Sequence, residues 1–407
     1  MLETLFSSEV IKKIFSIIRD SGAEVRFVGG CVRNAILNVP VQDIDLATTC
    51  LPNDVESLLA KHNIKTINIG KDFGTIIAVI GKESYEITTL RKDVEFYNGR
   101  HAVVEYTKDW QEDAERRDLT FNAMSYCPYQ DKLFDYFSGR DDLSRGLVRF
   151  IGNPEDRVQE DYLRILRFFR FYAYYGKSFD QDSFNACIKN SKHLSRISAE
   201  RKWQELSKIL SSASYINVLE LMINNGVLDD VLAFHVSKEI IPDLKLINSN
   251  LQSFEHSYTA AFILFILVYL SGASVQGLKK ALSLSNKEIK YIASIYTCVE
   301  AIQNQDIEAN LYLYIFQWKA ILLDALIVIY ASKNSNKWRG GFFQIKDIIA
   351  HNEMVFPVSG HDIIQNFDIK ESDKQIGVLL GVGKRYWCDK AFKVTKNEII
   401  EHIKNYG

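Results

Sequence analysis

The spacing of apolar residues changes character once along this chain, and that change constrains the fold more than any single motif. From Val25 to about Leu133, short β-rich runs alternate with turns: VRFVGG, the run from Ile76 to Ile80 ahead of Gly81, YEITTL and KLFDYF. After Pro154 the strand signals almost vanish. Long helical periods follow, including EDYLRILRFFRFYAYYG, AERKWQELSKILSS and INVLELMINNGVLDDVL. The pattern predicts an α+β head with a small mixed sheet, followed by helical units. At 407 residues the chain exceeds what one hydrophobic core usually serves. With only 6 prolines, boundaries fall on Gly and polar clusters such as Gly139-Arg140-Asp141-Asp142 and the stretch 332–336. They divide the chain into a head (1–140), a neck (141–212), a body (213–331) and a tail (332–407).

Charge and composition exclude several classes. The formal net charge of -2 gives no global positive field, so any contact with nucleic acid must use local basic patches. Six scattered cysteines (Cys31, Cys50, Cys127, Cys187, Cys298 and Cys388) form no close pair. They read as free thiols of a reducing cytoplasm. The first residues, MLETLFSSEVIKKIFSIIRD, lack the charge, apolar run and cleavage-site order of a signal peptide. The most apolar stretch, Ala260 to Leu270, is shorter than the roughly 20 residues that span a bilayer. It is expected to be a buried helix.

Within the head, RFVGGCVRNAIL runs from a strand through Gly29-Gly30 toward a helix. Two glycines there let backbone amides approach an anionic phosphate, and Arg33 lies close enough to reinforce the site. Standing alone, the pair is equally a plain turn. It is followed by Gln42-Asp43-Ile44-Asp45, and strand alternation sends Asp43 and Asp45 to one side. Two converging carboxylates repel unless cations are bound, and hard oxygen ligands suit magnesium. Two ions about 4 Å apart can activate an attacking 3′ hydroxyl and stabilise a leaving pyrophosphate. An isolated Asp-x-Asp is more simply a solvated turn; a glycine turn, an arginine and an acid pair together describe a phosphate-and-metal site.

Farther on, Glu86 in YEITTLR is either a third acid on the same sheet or a surface glutamate. Arg91 to Tyr106 is polar, contains Asn98-Gly99 and reads as a mobile loop. Arg116, Arg117 and Asp118 form a charge cluster ahead of the apolar run Leu119 to Met124. Arginines of this kind bind triphosphate or ribose oxygens with an adjacent acid to orient them, or form an ordinary surface ion pair.

Taken in order, GGCVRN, DIDLAT, RRDLTFNAM and EDYLRILRFFRF resemble the class II tRNA nucleotidyltransferase and poly(A) polymerase family. The later segments FPVSGHDIIQNFDIK and QIGVLL resemble the tail of bacterial CCA-adding enzymes. The resemblance implies a nucleotidyltransferase head with helical neck, body and tail. It also implies CTP and ATP as substrates, magnesium as cofactor and the tRNA 3′ end as partner. Carried over residue by residue, it assigns Gly29, Gly30 and Arg33 to nucleotide, Asp43 and Asp45 to metal, and Arg116, Arg117 and Asp118 to sugar and phosphates. Asp161, Arg164, Arg167 and Arg170 match the nucleotide-reading helix. The departure is Asn34, where the family more often has aspartate.

Residues three apart on a helix are neighbours, so Asp161 and Arg164 present an acceptor beside a donor. Cytosine and adenine both offer an amino donor beside a ring-nitrogen acceptor; uracil and guanine offer the reverse and would leave unmatched polar groups. Arg167 stays near Arg164, whereas Arg170 has rotated about 120° away. Leu163, Leu166 and Phe169 form an apolar stripe on the same helix, and stripe and reading edge can coexist on different faces.

Other readings share these residues. A poly(A) polymerase, or a specialised CC-adding or A-adding enzyme, would use the same head. A noncatalytic RNA-binding protein would have little need to keep both aspartates. His361-Asp362 is the one hint of phosphohydrolase activity, and alone it reads as structural. In the tail, Lys384, Arg385, Lys390 and Lys393 interleave with Tyr386, Trp387 and Phe392, as an RNA-backbone patch or as a helix burying its aromatics.

Overall fold

The computed structural model describes residues 2–70, 74–97, 101–253, 257–304, 307–331, 339–351, 354–367, 369 and 374–406. They form two compact units, Met1–Ala233 and Phe234–Gly407.

The first unit holds the β structure. Its strands are β1 (Val25–Val28), β2 (Asp45–Thr48), β3 (Lys65–Gly70), β4 (Thr75–Ile80), β5 (Glu83–Thr89), β6 (Arg91–Tyr97), β7 (His101–Tyr106), β8 (Ser125–Cys127) and β9 (Lys132–Phe134). Seven of them make one sheet in the order β3-β4-β5-β2-β1-β8-β9. It is mixed: β2 and β5 run parallel and the other neighbours antiparallel. All four residues of central β1 are buried. The preceding helix, Glu9–Asp20, buries Ile11, Ile14, Phe15, Ile17 and Ile18, and the Phe15 ring lies 4.8 Å from that of Phe27 on β1. These positions recur at helical spacing, so one face of the helix covers the sheet.

β6 and β7 pair as a separate hairpin, which corrects the loop expected from Arg91 to Tyr106. The segment is polar, but Val94, Phe96, Tyr97, Val103 and Val104 favour strands, and Asn-Gly is itself a hairpin signal. Residues 98–100 lie outside the described set. The run from Leu119 to Met124 forms a 3-10 turn, Thr120–Asn122. A Cβ on Gly139 would stand 2.2 Å from the Thr120 carbonyl oxygen, so only glycine lets the next helix pack against this turn.

Beyond Pro154 the first unit is helical apart from β11 (Ser178–Phe179), which pairs in parallel with β10 (Leu147–Val148). The helix Leu163–Tyr175 buries Leu163, Ile165, Leu166, Phe168, Phe169 and Phe171, leaving its arginines on another face. The helix Ala199–Leu210 packs beside it.

Among the described residues the second unit is all helix, from a 3-10 turn at Lys238–Ile240 to Lys396–Lys404. Ala260–Leu270 is a buried helix as expected, covered from Ala261 through Val268. No single described helix is long and apolar enough to cross a membrane. Trp387 is buried against Phe316, Phe356 and Phe392, while Arg385, Lys390 and Lys393 are exposed. The tail segment thus buries Trp387, half-buries Tyr386 and Phe392, and leaves Arg385, Lys390 and Lys393 in solvent. Asp362 caps the helix Gly360–Phe367 through Ser359 and pairs with Lys396 at 2.6 Å, a structural role for the His361-Asp362 dipeptide. The polar stretch 332–336 lies outside the described residues. All six cysteines are free thiols.

Candidate active site

A cavity of about 860 Å³ opens in the first unit, within the range of small-molecule sites. Every residue singled out from the sequence as catalytic or nucleotide-binding lines it: Gly29, Gly30, Arg33, Asp43, Asp45, Arg116, Arg117, Asp118, Asp161, Arg164, Arg167 and Arg170. Nine basic side chains and four carboxylates face this space, although the chain as a whole is slightly acidic. The local basic patch expected for a polyanionic partner is therefore inside a cleft.

At one wall, β2 begins at Asp45, and Asp43 sits in the irregular segment just before it. The two aspartates do not share a strand as alternation predicted, yet both line the cavity. The parallel register of β2 with β5 sets Glu86 opposite Asp45. Burial pushes the Asp45 carboxyl up, Glu86 adds to the shift, Arg117 opposes it and Asp43 adds again. Among the described residues no group of three or more His, Cys, Asp or Glu side chains forms a preformed metal cage. Crowded carboxylates of this kind suit magnesium, which usually takes one or two protein carboxylates and completes its shell with water and substrate phosphate.

The glycine turn makes the next wall. Gly29 has φ +67°, in the left-handed region, and a Cβ there would meet the Arg117 Nη1 at 3.2 Å. Arg33 is only 8% exposed. Its Nη1 donates to Asn122 Oδ1 at 2.5 Å, and its Nε and Nη2 donate to Asn34 Oδ1 at 3.2 and 3.0 Å. The Tyr175 hydroxyl donates to the same Asn34 oxygen at 3.2 Å. Burial lowers the Arg33 pKa, with Tyr175 and Asp118 partly opposing. Asn34 therefore keeps the acceptor that an aspartate would supply and withholds its charge, leaving the Arg33 cation for an anionic ligand.

Asp113, which sequence reasoning missed, orients Arg116 and Arg117. It is 3% exposed and accepts from Arg116 Nε and Nη2 at 2.9 and 2.7 Å, from Arg117 Nη2 at 3.1 Å and from the Arg91 backbone N–H at 3.3 Å. Its spacing of three and four residues from the two arginines was a usable signal. Asp118, expected in that role, instead serves other groups. One oxygen accepts from the Leu119 N–H and the Asn122 side chain, and the other from Arg167 Nε at 2.7 Å. Burial alone would raise the Asp118 carboxyl; Arg167, Asn122 and Arg164 outweigh it and hold the group well below the usual carboxylate range.

The third wall is the helix Leu163–Tyr175. Asp161 is not on it: the preceding helix ends at Glu160, and Asp161 is extended, with φ -152° and ψ 106°. The reason is local competition, because its Oδ1 accepts from the Leu163 N–H at 3.1 Å and starts the next helix. Asp161 and Arg164 still face one cavity. Arg201 Nη2 donates to Asp161 Oδ2 at 2.6 Å; Arg164 is held by Glu160 and by the Arg157 and Arg116 carbonyls at 3.0 Å each. Neither is saturated, since a carboxylate accepts about four hydrogen bonds and a guanidinium donates five. Tyr174, Tyr175 and Lys208 also line the cavity and carried no sequence signal.

Comparison with known proteins bears on what this cavity does. Residues 25–149 match the family model described as the poly A polymerase head domain, and residues 178–238 the one described as "Probable RNA and SrmB- binding site of polymerase A". The mouse mitochondrial CCA tRNA nucleotidyltransferase 1 is 34% identical over 99% of this chain and 91% of its own length. The chain belongs to the CCA tRNA nucleotidyltransferase family. The CCA-adding enzyme of Lactococcus lactis subsp. cremoris is 28% identical over 94% of this chain and 90% of its own. A crystal structure of the Bacillus stearothermophilus CCA-adding enzyme in complex with CTP superposes with a TM-score of 0.79 at 24% identity, covering 97% of this chain and 96% of that one. The Thermotoga maritima CCA-adding enzyme complexed with tRNA-CCA gives 0.74 at 19%, covering 100% and 97%. As a CCA tRNA nucleotidyltransferase by family, the chain carries the fold its sequence predicted.

The Asp118–Arg167 pair yields a stability prediction. Asp118→Asn should lower the unfolding free energy at pH 7 by about 1.5 to 3 kcal/mol, the worth of a hydrogen bond to a charged group. Because the folded pKa of Asp118 is depressed, its contribution is full above the unfolded value of about 3.9 and is lost as pH falls toward the folded one. Urea denaturation of both proteins should show the gap closing below about pH 4. A gap that is absent at pH 7, or that persists unchanged into acid, contradicts the pairing.

Proposed function

We propose that this chain adds CCA to the 3′ end of tRNA from CTP and ATP, releasing pyrophosphate by a two-metal mechanism. The observation that carries the reading is the convergence of Asp43, Asp45, the glycine turn and the Asp161–Arg164 edge on one cation-lined cavity. The names of the relatives and the CTP, ATP and tRNA complexes of the structural neighbours support the same substrates.

Asp43 and Asp45 are the residues to hold two magnesium ions, with Glu86 beside them on β5. Bound there, the ions supply activation of the 3′ hydroxyl and charge stabilisation on the departing pyrophosphate. Gly29, Gly30 and Arg33 take the phosphates. Arg116 and Arg117, fixed by Asp113, take phosphate and ribose oxygens bidentately. Asp161 accepts from the amino group of cytosine or adenine while Arg164 donates to the ring nitrogen; uracil and guanine would leave both unmatched. Arg167 and Arg170 line the same edge, tied to Asp118 and Glu205.

The division into head (1–140), neck (141–212), body (213–331) and tail (332–407) belongs to this proposal, with the RNA backbone gripped by the helical parts and their exposed cations. A reducing cytoplasm suits its free thiols. The second reading, a poly(A) polymerase, is favoured only by the name of the matched head model. Sequencing the products formed on a tRNA transcript lacking its terminus, with all four nucleotides present, separates the two: C, C, A supports the first and an A tract the second.

Two sets of variants test the roles. Asp43→Ala and Asp45→Ala are expected to abolish incorporation while circular dichroism stays native; near-normal incorporation by either folded variant defeats the metal assignment. Asp161→Ala and Arg164→Ala are expected to relax discrimination against UTP and GTP roughly tenfold to a hundredfold in competitive incorporation. Loss of rate with an unchanged preference for C and A would make that edge structural.

A further inference from the structure

Six of the cavity's nine cations are matched by carboxylates: Arg116 and Arg117 by Asp113, Arg164 by Glu160, Arg167 by Asp118, Arg170 by Glu205 and Arg201 by Asp161, and the Arg91 backbone N–H is tied to Asp113. Arg33 and Lys208 differ. Among the described residues neither has a carboxylate within ion-pairing distance: Arg33 is satisfied by two neutral amide oxygens, and Lys208 is an exposed residue that lines the cavity. An anion entering the cleft meets in these two the cations that no carboxylate pairs.

Lys208 has a defined place along the site. The helix Ala199–Leu210 meets the reading helix and its approach through Arg201 with Asp161, Glu205 with Arg170, and the Lys208 carbonyl with the Tyr174 hydroxyl at 3.1 Å, in the same order along both segments. The base-reading pair is therefore at one end and Lys208 at the other. Arg33 stands at the Lys208 end, its guanidinium carbon 4.5 Å from the Tyr175 ring centre and 5.1 Å from that of Phe171. A nucleoside triphosphate whose base met Asp161 and Arg164 would lay its phosphates toward Arg33 and Lys208.

We propose that Lys208 binds the terminal phosphates of the incoming nucleotide, the part that leaves as pyrophosphate, as a point-charge partner to Arg33. The inference rests on the nucleotidyl-transfer reading above. Because Tyr174 bonds the Lys208 backbone carbonyl, replacing the side chain leaves that contact intact. The shared chemistry is a phosphate, and an RNA phosphate is the competing source.

The test is Lys208→Ala beside Lys208→Arg, with Lys208→Gln if the alanine variant does not fold. In steady-state incorporation, the alanine variant should raise KM for CTP and ATP alike by at least about tenfold, the weight of one charge-assisted contact. KM for RNA and the preference for C and A should not move, and arginine should restore most of the loss. Calorimetric titration with magnesium pyrophosphate should show the same loss of affinity without turnover. An unchanged nucleotide KM and pyrophosphate affinity overturns the proposal, and a rise confined to the KM for RNA assigns Lys208 to the RNA backbone instead. If the wild-type protein incorporates nothing, the functional reading fails, while the pyrophosphate titration still decides the role of Lys208.

Discussion

Asp118 ties together the two structural halves of the cavity. One of its oxygens holds Arg167 on the helix Leu163–Tyr175; the other holds Asn122 in the 3-10 turn, and Asn122 in turn accepts from Arg33 behind the glycine turn. The chain Arg167, Asp118, Asn122, Arg33 thus joins the helix Leu163–Tyr175, the 3-10 turn and the helix that follows the glycine turn, and Asp118, Asn122 and Arg33 are buried. Such a network is costly when half-made and rigid when complete, because each member removed leaves a neighbour desolvated and unpaired. It fixes where the helix Leu163–Tyr175 stands relative to the glycine turn.

Around that link the cavity is organised by charge matching. Asp113, Glu160 and Glu205 stand behind the arginines, so most of the cations are held in position by fixed carboxylates. Holding cations this way costs folding free energy less than gathering them bare, and it leaves the unpaired donors aimed into the cleft. The opposite tendency appears at Asp45, whose carboxyl is pushed up by burial and by Glu86. In the proposed reaction a metal-bound polyphosphate would complete this arrangement, bringing cations to the acids and anions to the arginines.

Much of this was legible in the sequence. The switch from strand to helix periodicity placed the mixed sheet and the helical remainder, and the four motifs named twelve of the residues that the fold brings to one cavity. What stayed hidden depended on contacts between distant segments. Nothing near Arg201 says that it reaches Asp161, and nothing near Lys208 says that it faces the same space, because each is an ordinary cation on an amphipathic helix until packing sets its direction. Asp161 was placed on a helix because the sequence around it is helical; its own carboxylate captured a backbone amide and broke the helix there. The hairpin of β6 and β7 is hidden because the polarity of its sequence outweighs its strand-forming residues.

The claim at the centre of this account is that one cavity holds base, sugar and triphosphate in a single orientation. A crystal structure of this chain with CTP and magnesium measures that directly. The account predicts the cytosine edge against Asp161 and Arg164, the phosphates between the Gly29-Gly30 turn and Arg33, and metal on Asp43 and Asp45. A nucleotide bound outside this cavity, or lying in it with its base toward Arg33 and its phosphates toward Asp161, would contradict it.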